Sequence, residues 1–209
     1  MPDGAFMRID PAKISLAELY GWMISTIAPR PIAWVSSISA DGVTNLAPFS
    51  FFQGVTANPP TLLFSVVNDR HGEKKDTIRN IEAVPEFVVN VVSYDLREQM
   101  NRSSALLPYG ESEFEFAGVT AAPSELVRPP RVAEAPVSFE CKLQQIVRVG
   151  EGPLAGNVVF GTIVLMHVKD DVLDSDGRID PAKLDAIARM GGECYTRTTD
   201  RFGLKRPGR

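Results

Sequence analysis

The sequence predicts a mainly β protein, an antiparallel barrel accompanied by a few peripheral helices. Two observations support this fold class: about six runs rich in β-branched and aromatic residues, and turn signals between those runs. Such spacing is typical of a closed or partly open barrel. The predicted strands are 31–39, 43–52, 61–67, 86–93, 137–149 and 157–168.

Short turn sequences separate the predicted strands. Asp41-Gly42 indicates a hairpin, because both residues tolerate a positive φ. Asn58-Pro59-Pro60 indicates a turn before the third strand. The two long strands near the C-terminal end are expected to form a hairpin across the glycine-rich stretch 150–156.

Two helices are predicted in the first half of the chain. The first covers 15–26, because Ser15 and Glu18 match a capping box and apolar residues follow at helical spacing. The second begins at Asp76, which fits the N-cap position.

A third helix is predicted near the C-terminal end. Asp180-Pro181 combines an N-cap with a proline at the first helical position, and Gly191 suits the residue that follows a helix C-terminus. Between the strands, residues 94–135 form a loop rich in Pro, Glu and Ala, with one short helix over 95–104.

Length and composition fit one domain, residues 1–209, although the length alone also permits two small domains. The formal net charge is -4, and the basic residues are scattered. A mildly acidic chain argues against nucleic-acid binding, which requires clustered Lys and Arg.

The expected location is the cytoplasm. No apolar run is long enough to span a bilayer, and the N-terminus lacks the pattern of a secretory signal. Cys141 and Cys194 form no CxxC pair, so two reduced cysteines are expected, one of them buried in a strand.

No metal site is expected. His71 and His167 are the only histidines and lie far apart in sequence. The acidic stretch 174–177 resembles a calcium loop, but Val172 stands where the first acidic ligand should be, so a tight turn is the better interpretation.

Three clusters could carry chemistry, although each alone has a simpler structural interpretation. The cluster at 45–52 combines small residues with apolar ones that could cover a flat ring, yet it also suits an ordinary barrel strand. The cluster at 74–77 opens a predicted helix, where free amides and Lys75 could bind an anion, or a solvated lysine pair could flank a capped helix. The cluster at 189–195 pairs glycines with Tyr195, or simply ends a helix.

Taken together and in order, these clusters resemble the flavin reductase-like domain, a family of FMN-binding split-barrel proteins. No single motif is very specific, but the ordered series is, and it covers nearly the whole chain. The segments that carry the resemblance are 30–37, 45–52, 58–60, 75–77, 86–90, 133–137, 189–192 with Tyr195, and Phe202-x-Leu204.

The resemblance implies a six-stranded antiparallel split barrel in Greek-key order. It also implies a homodimer with FMN near the subunit interface. Members of the family reduce flavin with NADH or NADPH, often to supply a partner monooxygenase, and others are electron carriers. A flavin-free interaction domain on the same barrel stays open as a further alternative.

The resemblance also implies site residues. The strand over 34–37 would line the ring, partly through backbone groups: Trp34, Val35, Ser36 and Ser37. The next strand would hold the ring edge and the ribityl chain, and Ser50 is the preferred candidate for a hydroxyl contact. Its residues are Asn45, Ala47, Pro48, Phe49, Ser50, Phe51 and Phe52. Lys75 and Thr77 would hold the phosphate, and Gly191, Gly192 and Tyr195 would shape the pocket.

One departure from the family pattern concerns the reductase role. Members that serve monooxygenases often carry a histidine-containing motif near the C-terminus, whereas 189–195 contains no histidine. No catalytic acid or base is assigned, because hydride transfer to flavin is the chemistry of the cofactor itself.

Overall fold

A computed structural model describes residues 6–108 and 110–208. Within those two ranges, no helix is both long and apolar enough to cross a membrane.

Five α-helices and twelve strands follow one another along the described part of the chain. The helices are α1 (Leu16–Thr26), α2 (Asp76–Ala83), α3 (Arg97–Arg102), α4 (Glu113–Ala117) and α5 (Pro181–Leu184), with 3-10 turns at Pro11–Lys13, Tyr94–Leu96 and Asp170–Val172. The strands are β1 (Arg30–Pro31), β2 (Ala33–Ile38), β3 (Thr44–Phe49), β4 (Phe52–Ala57), β5 (Pro60–Val67), β6 (Glu86–Val91), β7 (Ala121–Ala122), β8 (Arg131–Val132), β9 (Val137–Val149), β10 (Gly156–Val168), β11 (Ile187–Arg189) and β12 (Tyr195–Arg197).

The main sheet confirms the predicted mainly β, antiparallel class. Its strand order is β3-β2-β6-β9-β10-β5-β4, and every neighbouring pair is antiparallel. All six predicted strands are present in it. A seventh, β4, arises because the predicted strand over 43–52 stops at Phe49, turns a corner and restarts at Phe52.

The two edge strands of this sheet are consecutive in the chain, which forces the sheet to curl. Only Ser50 and Phe51 connect β3 at one edge with β4 at the other. An extended chain covers about 3.3–3.6 Å per residue, so the two edges must approach within roughly 10 Å. The Ser65 amide donates to the Phe51 carbonyl at 2.8 Å and holds the corner against β5. Among the described residues β3 and β4 are not paired, so the barrel stays open at this point.

Alternating side chains of the strands build two apolar clusters. One fills the barrel interior, where Phe64 lies between Phe49 and Phe87 at ring-centroid distances of 5.5 and 5.3 Å. The other lies outside the barrel wall, where Trp34 packs with side chains of α3 and α4. Val35 belongs to the inner cluster and Trp34 to the outer one, as expected for neighbours in a strand.

Helix α1 begins with the predicted capping box. The Glu18 amide donates to Ser15 Oγ at 3.2 Å, and the Ser15 amide donates to Glu18 Oε2 at 3.0 Å. No residue of α1 is buried, although several are large and apolar. The described residues therefore cover its apolar face only in part.

The prediction of the third helix is confirmed at its start and wrong over the rest of its length. Asp180 caps it as expected, but α5 ends at Leu184, where Asp185 takes a left-handed conformation. The chain then forms β11, which pairs with β1 on one side and β12 on the other. Gly191 is therefore part of the β11–β12 connection and does not follow a helix C-terminus, because pairing with a distant strand prevails over local helical propensity.

Candidate functional site

Two adjoining depressions are lined by residues of β3 and of the corner that follows it. The smaller, which we call the lysine groove, has a volume of about 320 Å³ and is bounded by β3, the start of α2 and the segment 103–107. The larger, the arginine cavity, has a volume of about 1100 Å³ and lies against α1, β1 and the β11–β12 hairpin. Pro48 and Ser104 belong to the walls of both, so the two form one continuous site. Volumes of this order suit cofactors and small substrates.

The N-terminus of α2 forms the end wall of the lysine groove. Lys75 is the N-cap, so the expectation of Asp76 in that position is corrected: Lys75 keeps extended φ and ψ angles, and Asp76 is the first helical residue. No side chain caps this end of the helix. The amides of Asp76 and Thr77 precede the first intrahelical bonds, which the Ile78 and Arg79 amides make to the Lys75 carbonyl. This terminus suits an anion.

The two neighbouring lysines differ in their partners. Lys74 Nζ is 2.7 Å from Glu82 Oε1. Within the described ranges, no carboxylate oxygen lies within 4.0 Å of the Lys75 ammonium. Although Lys75 keeps contact with solvent, partial burial in the groove lowers the pKa of its ammonium, against the opposing effect of Asp69. A bound anion would favour the charged form of Lys75.

The side chain of Asn45 connects the elements around the groove. Its Oδ1 accepts from Thr77 Oγ1 at 2.9 Å and from Ser37 Oγ at 3.2 Å. Its Nδ2 lies 2.9 Å from both carboxylate oxygens of Glu113 on α4. The Thr77 hydroxyl, which was expected to hold the phosphate, is thus engaged inside the protein, and only the Thr77 amide remains suited to an anion.

Glu113 is a buried carboxyl at the rim of this network. It is 6% exposed, and its Oε2 also accepts from the Leu46 amide at 2.9 Å. Burial raises the pKa of Glu113 above its ordinary value, although the hydrogen bonds from Leu46 and Asn45 oppose that shift. Nearby Asp76 adds to the rise.

Arg30 and Arg189 form the inner wall of the arginine cavity. They are direct partners in the pairing of β1 with β11. Arg30 is almost completely buried, and its Nε donates to Ser50 Oγ at 3.3 Å while Nη2 donates to the Met190 carbonyl at 3.0 Å. Arg189 donates to the Tyr195 hydroxyl and to the Gly192 carbonyl.

The outer part of the cavity carries a second group of guanidinium and aromatic side chains. Tyr94 has Arg97 at 4.2 Å and Arg197 at 4.1 Å from its ring centroid. Arg197 donates to Asp185 through two nitrogens, and Arg97 lies 3.6 Å from Glu98. The charges in this outer group are therefore largely compensated.

The structure brings most of the predicted site residues to this site. The residues that line the lysine groove are Asn45, Ala47, Pro48, Phe49, Lys75 and Thr77, and those that line the arginine cavity are Pro48, Ser50, Gly192 and Tyr195. Gly191 packs behind the cavity, where a Cβ would lie 2.6 Å from Ser25 Oγ. Phe51 lies at the corner beside Tyr20, and Phe52 packs against the inner core.

The structure does not bring the strand over 34–37 to either depression. Trp34, Val35, Ser36 and Ser37 are all fully buried. β2 is a central strand, so the backbone of the first three is paired on both sides, with β3 and with β6. Their role is indirect: Ser37 supports Asn45, and Trp34 Nε1 donates to Ser103 Oγ at 2.8 Å beside the groove.

Several cavity residues were not predicted from the sequence. Arg30 and Arg189 lie in the segments 30–37 and 189–192, which carry the family resemblance, but the sequence assigned them no role. The signal that could have identified them is a charged residue within a short apolar segment. Glu113, Tyr94 and Arg197 lie in segments whose local pattern carries no such signal.

Residues 25–183 match the family model of the flavin reductase like domain. The match spans most of the chain, which therefore belongs to this family. The resemblance inferred from the ordered motifs is confirmed.

Solved structures agree with this assignment. Nitrilotriacetate monooxygenase component B from Bacillus cereus is 36% identical with a TM-score of 0.90, over 96% of this chain and 99% of that protein. The 2-nitrobenzoate 2-nitroreductase NbaA from Pseudomonas fluorescens is 32% identical with a TM-score of 0.84, over 97% of each chain. A split barrel domain protein from Shewanella frigidimarina, 24% identical with a TM-score of 0.82 over 96% of this chain and all of that one (100%), supports the split-barrel fold.

The raised pKa of Glu113 predicts how stability changes with pH. Between the ordinary glutamate pKa and the raised value, the folded chain binds more protons than the unfolded chain, so wild-type stability falls as pH rises through that window. The Glu113→Gln variant has no carboxyl group at this position, so its stability does not fall for this reason as the pH rises. Its melting temperature relative to wild type should therefore increase with pH across the window and then level off.

The matched control is Glu115→Gln, which changes an exposed carboxyl on the same helix. Thermal unfolding of the three proteins at a series of pH values measures the effect. Parallel curves for wild type and Glu113→Gln would show that Glu113 does not titrate in this way.

Proposed function

We propose that the protein binds FMN across the lysine groove and the arginine cavity and reduces it with NADH or NADPH. The observation that carries this proposal is that the two depressions adjoin. One ends at the N-terminus of α2, where among the described residues no side chain caps the helix and Lys75 has no ion-pair partner, and the other is lined by Arg30 and Ser50. The first end suits a phosphate, and the second is large enough for a flat ring and a second substrate.

Each part of the chain has a separate task in this proposal. Lys75 and the first amides of α2 bind the phosphate, while the wall formed by Ala47 and Pro48 positions the ribityl chain. Ser50 and Arg30 face the ring end. FMN, when bound, supplies the hydride-accepting chemistry, so the protein needs to orient the two reactants and restrict water.

The likeness to a monooxygenase component B supports a further part of the proposal, that the reduced flavin serves a partner monooxygenase. The test of the function is oxidation of NADH and of NADPH by the purified protein, followed with and without added FMN. Flavin-dependent oxidation of at least one donor is expected. If FMN binds but neither donor reduces it, whereas a reduced iron–sulfur protein does, the chain is an electron carrier instead.

Lys75→Ala should weaken FMN binding about tenfold or more and leave riboflavin binding nearly unchanged, because only FMN carries the phosphate. The estimate corresponds to a charge-assisted hydrogen bond of roughly 1.5–3 kcal/mol. Fluorescence titration with each ligand measures both affinities.

The matched control is Lys74→Ala, because Lys74 is already bound to Glu82. It should affect both ligands little. Equal losses of FMN and riboflavin in Lys75→Ala would remove Lys75 from the phosphate site.

We also propose that two copies of the chain associate through α1. Large apolar residues of this helix remain exposed, among them Leu16, Met23 and Trp22, the last at 42%. An isolated helix of this length is marginally stable in water, so a partner surface is expected to cover it. Tyr20 of the same helix lines the arginine cavity, which would put the interface beside the proposed FMN site.

Trp22→Glu should convert a dimer into a monomer, because it places a charge in the apolar face of α1. Phe116→Glu is the control, since Phe116 is an aromatic residue on α4 with a similar exposure of 54%. Sedimentation equilibrium measures both variants. A wild-type chain that sediments as a monomer at micromolar concentration would contradict the proposal.

A further inference from the structure

The inner wall of the arginine cavity carries two positive charges without a counter-charge. Arg30 is 4% exposed. In the part of the chain that the structure describes, no carboxylate oxygen lies within 4.0 Å of the Arg30 or Arg189 guanidinium. Neutral groups satisfy Arg30 instead: the carbonyls of Ile24, Ile27 and Met190, and the Ser50 hydroxyl.

This arrangement costs stability in the free protein. Arg30 and Arg189 occupy directly opposed positions of antiparallel strands, and their side chains reach the same cavity. Like charges in such positions repel each other, and a buried charge is unfavourable unless it is paired. Burial, with a smaller contribution from Arg189, lowers the pKa of Arg30. An anion between the two groups would relieve both effects.

The other cations of the cavity are in a different situation. Arg197 is bound to Asp185 through two hydrogen bonds, and Arg97 lies beside Glu98. Among the described residues, Arg30 and Arg189 are therefore the two arginines of the cavity without an ion-pair partner, next to Ser50 and the corner of the barrel. Glu193 also lines the cavity, but none of its oxygen atoms lies within 4.0 Å of either guanidinium.

We propose that Arg30 and Arg189 stabilise the negative charge that the flavin ring acquires on reduction, and so raise the reduction potential of the bound flavin. This inference rests on the proposed function. A dihydronicotinamide donates a hydride, which is two electrons and one proton, and leaves as the oxidised nicotinamide cation. A neutral flavin ring that accepted this hydride would carry one negative charge. Fixed cations in a partly dehydrated wall stabilise this charge and gain nothing from the neutral ring.

The two arginines would thus favour the negatively charged form of the reduced flavin ring, and they would transfer no proton. Because their charge is present before reduction, they need no reorganisation when the anion forms. Their effect should therefore appear in an equilibrium property of the bound flavin.

The experiment is a reductive titration of FMN-loaded protein with dithionite and a reference dye, which gives the midpoint potential. Arg189→Gln and Arg30→Gln should each lower it. The expected change is about a tenfold loss of preference for reduced over oxidised flavin, or about 30 mV for a two-electron couple. Arg30→Lys, which keeps the charge, and Arg97→Gln, whose charge is compensated by Glu98, should stay close to wild type.

The outcomes separate this inference from the proposed function. Should Arg30→Gln fail to fold, Arg189→Gln decides alone, since Arg189 is only half-buried. An unchanged potential in flavin-loaded Arg189→Gln overturns the inference, and so does an equal shift in Arg97→Gln. If the wild-type protein binds no FMN, the proposed function itself is wrong.

Discussion

The two-residue corner between β3 and β4 is the constraint on which the rest of the structure depends. These strands are the two edges of a seven-stranded sheet, and Ser50 and Phe51 alone join them. The sheet must curl until its edges approach each other, although β3 and β4 are not paired among the described residues. The result is a barrel with an opening, and residues of the strand that leads into it line both depressions.

Around this corner, short polar contacts tie together elements that are far apart in sequence. Asn45 of β3 joins α2 through Thr77 and α4 through Glu113. On the other side, Arg30 of β1 holds the end of α1 and the β11–β12 hairpin through backbone carbonyls. Both residues use uncharged or buried partners on the protein side. A ligand in the site would therefore meet a rigid wall whose shape is set before it binds.

Much of the fold could be predicted from local patterns. Alternating apolar residues gave the six main strands, Asp41-Gly42 marked a hairpin, and Ser15 with Glu18 marked the start of α1, because each of these signals acts over a few residues. The stretch after α5 could not be predicted in this way. Its strand β11 exists because it pairs with Arg30–Pro31, and no local signal reports a partner that lies about 160 residues away. The misplaced helix end and the unrecognised facing arginines have this one cause.

The difference between local signals and contacts between distant segments also explains how much of the site could be predicted. Each cluster has an ordinary structural role when taken alone: the residues at 45–52 do form a barrel strand, and 74–77 does begin a helix. What the sequence cannot give locally is that these segments line one continuous groove with the β11–β12 hairpin. That proximity turns separate, individually weak features into a site with two distinct ends. At one end lies the ammonium of Lys75, which has no ion-pair partner among the described residues, and at the other lie the buried guanidinium of Arg30 and the half-buried guanidinium of Arg189. A ligand that satisfies both ends must carry a fixed anionic group, and a second part on which negative charge is accommodated some distance away. A flavin mononucleotide has this polarity, with a permanent phosphate and a ring that becomes anionic only on reduction, whereas a simple phosphate ester would leave the buried end unsatisfied.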